Sequence, residues 1–460
     1  MSRYLRFTSD RHDASSALRF MRKGSMLISL VVCLFVCQVI LAACGESPAS
    51  SGSAITLKII QWSNPQESAM VKQLATKFHQ KYPNITVQTT VVPNDQYQQL
   101  EQARLSAKDV DLIAVQALAG APQSYTPGAD KPVWLQWVEA GQLMDLSGQP
   151  FLQNYYPQAL ANASTYNGKV YTVTTGSYAY SGVFYNKDIF SQYNLTPPTT
   201  WAQLVQLCQT LQAHGIAPFT IGQKDGWPLT LPGAGILADF YPDLQQLNQD
   251  LWSGKVKWDD PNMIQVFTRV QDLMKFSEKG ITGIDSQTAA SRFAAGKTAM
   301  LITGMWDGAS VAQANPAMKF GYIPIPGSDD ATANNQFTGK YDFAWTVPTN
   351  APHKDAALKW LDFFSQKDNY TAWVNALDIL PTQPDIAITA PFLKEIAPVA
   401  STFKPGWDQI AIGPKGAGQY AGLTVTFLAP AGPINDPVEL AHKSEADWAA
   451  GLKAVGAVTQ

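Results

Sequence analysis

Apolar and polar positions alternate along residues 55–60 (Ile-Thr-Leu-Lys-Ile-Ile), the two-residue period of a β-strand. The period then changes. Met70, Leu74 and Phe78 recur at four-residue spacing, which lays one apolar stripe along a helix over 67–82 that Pro83 stops. Residues 85–92 predict a second strand, 95–106 a helix and 110–115 a third strand. Strand, helix, strand, helix, strand implies a parallel sheet with covering helices. In such sheets ligands gather beyond the carboxyl ends of the strands, so Trp62, Ser63, Asn64 and Gln116 fall on one rim. Further along, 171–186 reads as a long extended segment able to pass from one lobe to another. Helices are expected at 201–214, 263–279, 288–295 and 356–366, and strands at 218–222, 298–303 and 320–325. There is no internal repeat of fixed period.

The amino end has a different pattern. Arg19, Arg22 and Lys23 precede an uncharged run, 24–43, that ends in small residues at Leu41-Ala-Ala-Cys44. A basic flank, an apolar middle and small terminal residues make an export signal. Its end resembles the bacterial lipobox, whose Cys receives a diacylglyceryl group. A plain transmembrane helix fits poorly with small residues before Cys44 and the Ser/Gly-rich stretch after it. The expectation is therefore a signal peptide over 1–43, lipidation of Cys44, a flexible tether over 44–54, and a protein held outside the cytoplasm on the cell membrane. Translation could start at Met1, Met21 or Met26.

Composition narrows the function. Cys33 and Cys37 would leave with the signal, so only Cys208 remains in the folded part and no intramolecular disulfide can form. A lone Cys on a helix reads as a small buried hydrophobe. His79, His214, His353 and His442 stand singly, without metal-ligand spacing, so no metal site is expected. Processing would remove six basic and two acidic residues, turning 33 and 36 into 27 and 34, a net charge of −7. Nucleic acid and anionic lipid are excluded as targets of such a surface. The remaining chain is too long for one core of ordinary size and predicts two lobes.

Three stretches, in order, resemble the family 1 extracellular solute-binding proteins, the carbohydrate receptors of ABC importers, a group that includes maltose-binding protein. The first is Tyr166-Asn-Gly-Lys-Val-Tyr171, continued by Phe184-Tyr-Asn-Lys-Asp-Ile-Phe190 and Pro197-Pro-Thr-Thr-Trp201. The second is Phe293-Ala-Ala-Gly-Lys-Thr-Ala-Met-Leu-Ile-Thr-Gly-Met-Trp306. The third is Phe320-Gly-Tyr-Ile-Pro-Ile-Pro-Gly327 with Ala351-Pro-His-Lys-Asp-Ala-Ala-Leu-Lys-Trp-Leu361. The resemblance implies a two-lobed α/β fold of the class II periplasmic-binding type, each lobe a mainly parallel sheet flanked by helices. It places the first lobe at 55–176 plus 319–350 and the second at 177–318 plus 351–460. Crossings are expected near 176–178, 318–319 and 349–352.

Sugars present apolar C–H faces and polar edges, so a receptor uses flat aromatics and planar hydrogen-bonding groups. By the resemblance, Trp306 is the stacking residue and Asp307 accepts from hydroxyls. Trp62 and Asn64 lie in the first-strand loop, Gln116 in the third, Tyr178 beside a crossing, and Trp227 and Trp345 at the cleft edge. Trp62, Trp227 and Trp345 suit a core equally well. The third-strand loop departs from the family pattern with Val115-Gln-Ala117, which argues against maltodextrin specificity. The resemblance also implies an ABC permease as partner, a monomer, no cofactor and no catalysis. The main alternative is a glycosidase, for which Asp259-Asp260 or Asp329-Asp330 would be the carboxylates, although adjacent residues point apart. A non-sugar ligand such as a glycerol phosphodiester is another. Gly296-Lys-Thr298 lacks the first Gly of a phosphate loop, and prolines spoil the strand that should precede Gly233-Ala-Gly235 for a dinucleotide site. A purely structural surface lipoprotein would not need the two-lobe pattern.

Overall fold

The computed structural model describes residues 53–457, Asp342 excepted. The export run, Cys44 and the tether as far as residue 52 lie outside the described residues. Among the described residues no helix is long and apolar enough to cross a membrane.

The first strand, β1 (Ile55–Trp62), buries Leu57, Ile59 and Ile60 and leaves Thr56 outward. Asn64 then starts α1 (Pro65–Lys81). Its side-chain oxygen accepts from the backbone N–H of Gln66 (3.0 Å) and Glu67 (3.1 Å), and Pro65 occupies the first turn, where no donor is lost. The stripe Met70, Val71, Leu74 and Phe78 faces the core. β2 (Ile85–Val92) runs parallel to β1 from Ile55 opposite Ile85 to Trp62 opposite Val92. α2 (Asn94–Ala107) returns the chain to β3 (Leu112–Gln116), parallel on the other side of β1. β3 is apolar up to its last residue because both its faces are covered.

Besides a short hairpin of Thr165–Tyr166 with Lys169–Val170, the later strands are β4 (Val173–Thr174), β5 (Ser177–Ala179), β6 (Gly182–Asn186), β7 (Ala217–Ile221), β8 (Thr298–Ile302), β9 (Phe320–Pro324), β10 (Thr338–Tyr341), β11 (Phe343–Thr346) and β12 (Lys404–Pro405). The first sheet has the order β2-β1-β3-β11-β4 and the second β9-β6-β8-β7, with a small sheet β12-β10-β5 on the path between them. Both large sheets mix parallel and antiparallel pairs. β6 and β11 are the strands the chain enters directly after a crossing, without a helix to turn it round, and each pairs antiparallel with both neighbours.

Two stretches pair across the expected division. β9 lies within 319–350 yet pairs with β6 in the second sheet. The helices Lys354–Ser365 and Lys367–Leu377, expected in the second lobe, pack on the first. Trp360 sits 5.3 Å from Phe78, and Trp373 sits 5.7 Å from Phe343. Their aromatic stripe matches the apolar face that α1 leaves open, and that match decides which lobe they join. The chain passes between the two large sheets at 175–181 and 325–341, and leaves the first again beyond Leu377.

Two local readings hold. Cys208 is fully buried, and burial pushes its thiol pKa up, which keeps it protonated and inert. Gly233 and Gly235 lie in the helix Thr230–Phe240, where a Cβ on Gly235 would stand 2.6 Å from the Ser181 side chain. The glycine lets this helix lie directly on the crossing segment, so it serves packing and not a nucleotide.

At the first crossing Gly176 has φ +153°, and a Cβ there would come within 2.4 Å of Ile379 and 3.0 Å of the Leu380 carbonyl. Ser177 and Leu380 exchange backbone hydrogen bonds of 3.0 and 2.9 Å beside it. Replacing Gly176 by Ala is expected to destabilise the protein by about 2 kcal/mol through overpacking and backbone strain. Denaturant midpoints measure this, and an unchanged midpoint would contradict the crossing geometry.

Candidate functional site

The carboxyl ends of β1 and β3 bring Trp62 and Gln116 to one rim, as their strand positions require. Gln116 is exposed and lies opposite Phe343 in the register of β3 with β11. Trp62 is partly buried, held edge-on by Tyr97 (centroids 5.4 Å, 88°) and Phe343 (5.0 Å, 69°). Tyr97 is itself fixed, because its hydroxyl donates to the Ala114 carbonyl at 2.5 Å and lies 3.2 Å from that of Ile60. One side chain of α2 thus ties β1 to β3 and sets the indole on the rim. Asn64 is at the same rim, but its carboxamide oxygen is engaged in capping α1.

The second lobe contributes a turn after β8. A Cβ on Gly304 would lie 2.3 Å from the Trp306 ring, so glycine is what lets the indole fold back over the chain. Trp306 is partly buried and leans on both large cores. Tyr178 meets it edge-on (5.8 Å, 85°), Trp227 is tilted against it (5.9 Å, 57°), and the Lys340 ammonium lies 5.6 Å from its ring centre. Tyr178 is only 2% exposed and supports Trp306 from below. The Trp227 turn is braced by Gln223, whose side chain accepts from Leu229 N–H (3.2 Å) and donates to the Gly226 carbonyl (3.2 Å).

Asp307 follows Trp306 and accepts from the Thr303 hydroxyl at 2.8 Å. Burial pushes its carboxyl up to about 7. The Asp225 charge adds to that, and the Thr303 bond partly offsets it. Tyr322 locks the turn to the crossing: it donates to the Thr303 carbonyl and accepts from Gly182 N–H, both at 3.0 Å.

The structure thus brings Tyr178, Trp227, Trp306 and Asp307 together, and groups Trp62, Asn64 and Gln116 on the rim of the first sheet. Gln66 and Gln313 bridge the two sides at 3.4 Å. Trp345 is a correction. It is 0% exposed in β11, with its indole 4.6 Å from Phe343, and is a core residue that no cleft ligand reaches. The sequence reading missed Tyr97, Phe343 and Lys340, which orient the two indoles. It also missed Asp378, 4% exposed at φ +51°, whose carboxyl burial pushes to about 7 and whose Oδ2 lies close to Gly308. A Tyr in a helix or a carboxylate after one carries no sequence signal of such a role.

The proposed acid pairs are occupied elsewhere. Asp329 accepts from Ala202 N–H (2.8 Å), Asp260 from Lys257 N–H (2.9 Å), and Asp330 from Thr332 N–H (2.9 Å). A surface hollow of about 150 Å³ lies apart from the aromatic group, lined by Lys58, Gln88, Thr90, Arg104 and Asp109 among others. Asp109 ties up both of its cations, Arg104 at 2.8 Å.

Comparison with known proteins gives the following. Residues 62–371 match the family described as bacterial extracellular solute-binding protein. The chain is 26% identical over 348 residues to the multiple sugar-binding protein of Streptococcus mutans, covering 74% of this chain and 78% of that one. It is 24% identical over 320 residues to the melibiose/raffinose/stachyose-binding protein MelE of Bacillus subtilis, covering 65% and 68%. Among solved structures, RafE in complex with raffinose superposes with a TM-score of 0.70 at 20% identity, covering 86% of this chain and 99% of that one.

The raised Asp307 carboxyl has a consequence for stability. From about pH 4 to about pH 7 the folded state keeps a proton that the unfolded chain has released, so this group costs stability increasingly as pH rises through that window. Asp307→Asn removes the cost. The variant should gain about 1 kcal/mol or more relative to the unmodified protein between pH 4 and pH 7. Parallel stability profiles for the two proteins would show that Asp307 is ordinary.

Proposed function

The chain belongs to the bacterial extracellular solute-binding proteins, and from that premise we propose that it is an importer's receptor, which captures an oligosaccharide between its lobes and hands it to an ABC permease. The observation that carries the carbohydrate reading is Trp306, partly exposed, flanked by Trp227, next to a carboxyl, and resting on both cores at once. An indole face suits the C–H face of a pyranose ring, and Asp307 suits its hydroxyls. Trp62 and Gln116 would meet the same ligand from the facing rim. The named sugars of the relatives point to raffinose-type oligosaccharides as the first class to try.

Ligand bridging the two rims gains contacts that exist only when the rims face each other, so it selects the closed arrangement by differential affinity. Binding is the whole task in this reading. The Asp307 carboxyl, pushed up to about 7 by burial, offers oxygens suited to hydrogen bonding with hydroxyls, and the adjacent acid pairs serve turns and helix starts. A lipid on Cys44 would keep the receptor beside its permease, where tethering raises the effective concentration.

Raffinose titration followed by tryptophan fluorescence tests the site. Trp306→Ala should weaken binding by about 1–3 kcal/mol, roughly five- to 150-fold. Unaltered affinity in that variant would remove Trp306 from the site. An absence of binding across mono- to tetrasaccharides would overturn the carbohydrate reading, and release of reducing sugar would favour a glycosidase. Separately, Cys44→Ser should shift the protein from the membrane fraction to the soluble one, and unchanged partition would contradict the lipid anchor.

A further inference from the structure

Between β3 and the helix Val133–Glu139 the chain makes an excursion, 117–132, whose ends and middle are fastened to different lobes. The ends belong to the first. Leu118 N–H donates to the Ala163 carbonyl (2.9 Å), the Trp134 indole donates to the Ala119 carbonyl (2.9 Å), and Leu118, Trp134 and Leu135 form a small apolar cluster. The middle belongs to the second. Tyr125 and Ala129 pack on the second core, and Ala129 forms an antiparallel bridge with Pro414. The Tyr125 hydroxyl accepts from Asn248 (3.2 Å) and from Gln245. At Gly128, φ +70°, a Cβ would stand 2.8 Å from that of Val455.

The receiving surface is built for this contact. Asn248 is fully buried on the helix Leu244–Ser253, and its side-chain oxygen accepts from Ile412 N–H (3.3 Å) while Trp252 donates to the Ile412 carbonyl (2.6 Å). The same carboxamide therefore anchors the Ile412–Pro414 stretch and the visiting tyrosine. The excursion, rich in Ala, Gly and Pro, has no helix or strand of its own. Its position therefore rests on tertiary contacts such as these. The pair Asp130 and Lys415, 3.9 Å apart and both largely exposed, adds little. The segment leaves the first sheet at Gln116, on the rim that also carries Trp62.

We propose that residues 117–132 are a latch: a non-covalent tie from the rim of the first lobe to the second, which holds the lobes at this spacing and must lift for them to part. The three covalent crossings permit rotation, and the latch restrains it. A few hydrogen bonds and the packing of Tyr125 and Ala129 make a tie weak enough to release on each cycle. Its effect on ligand exchange rests on the cleft being the binding site, whereas its restraint on the lobes does not.

Two arms on the full chain separate these claims. In the first, small-angle scattering of the protein without ligand compares it with Tyr125→Phe, which keeps the ring and loses the accepting oxygen, and with Gly128→Leu, which forces the segment away from Val455. Both should raise the radius of gyration, Gly128→Leu more, and superimposable curves for all three would overturn the latch. In the second, Ala129→Cys with Pro414→Cys is oxidised and raffinose release is followed by stopped flow. The cross-link should slow release at least tenfold, reversed by reductant, and release at the unmodified rate would overturn the latch's part in exchange. If the unmodified protein does not bind raffinose, the raffinose-type assignment falls and scattering still decides the latch.

Discussion

The arrangement depends most on the indole of Trp306 being shared between two hydrophobic cores. The larger core runs through both sheets, taking in Ile113 of the first and Phe184 and Leu301 of the second, and the other core fills the rest of the second lobe. The ring sits where the two cores meet and is held from several sides: Gly304 leaves room beneath it, Tyr178 supports it from a crossing strand, and Trp227 closes on it from the second lobe. Tyr322 joins the Trp306 turn to the crossing through the Thr303 carbonyl and Gly182 N–H. A side chain so placed senses any rotation of one lobe against the other, which is what a ligand-gathering surface between lobes requires.

The facing rim obeys the same logic with different parts. Tyr97 holds β1 and β3 through one hydroxyl and sets Trp62 edge-on, so the first lobe presents a fixed aromatic of its own. The two carboxyls near Gly308, Asp307 and Asp378, are both displaced to about 7 by burial. Groups so displaced change charge near neutrality, and the polarity around Gly308 changes with them. The segment 117–132 then adds a restraint that neither core supplies.

Much of this was legible in the sequence, for identifiable reasons. Period alone located β1, α1, β2 and α2 to within a few residues, because each buries one face against a neighbour. The Gly-Met-Trp turn was legible only through the family resemblance, and the structure adds the reason for its glycine, which leaves room for the ring to fold over the chain. The lobe boundaries were not legible. The stripe of Trp360, Phe364 and Trp373 shows that the helices 354–377 need a partner, but only the open face of α1 shows which one. Trp345 and Trp62 both stand near strand ends and have similar neighbours, yet one is core and the other rim. That difference arises from what covers β11, a long-range fact. Asn64 shows a further limit: its place beside the first strand suited a ligand contact, and the start of α1 claimed its oxygen.

Fluorine NMR of the protein labelled with fluorotryptophan tests most directly whether Trp306 is the sugar-sensing ring between the lobes. Raffinose should move the Trp306 resonance, assigned by its loss in Trp306→Phe, together with that of Trp227, and leave buried Trp345 and Trp360 in place. A spectrum in which saturating raffinose leaves the Trp306 resonance fixed while other resonances shift would contradict the account.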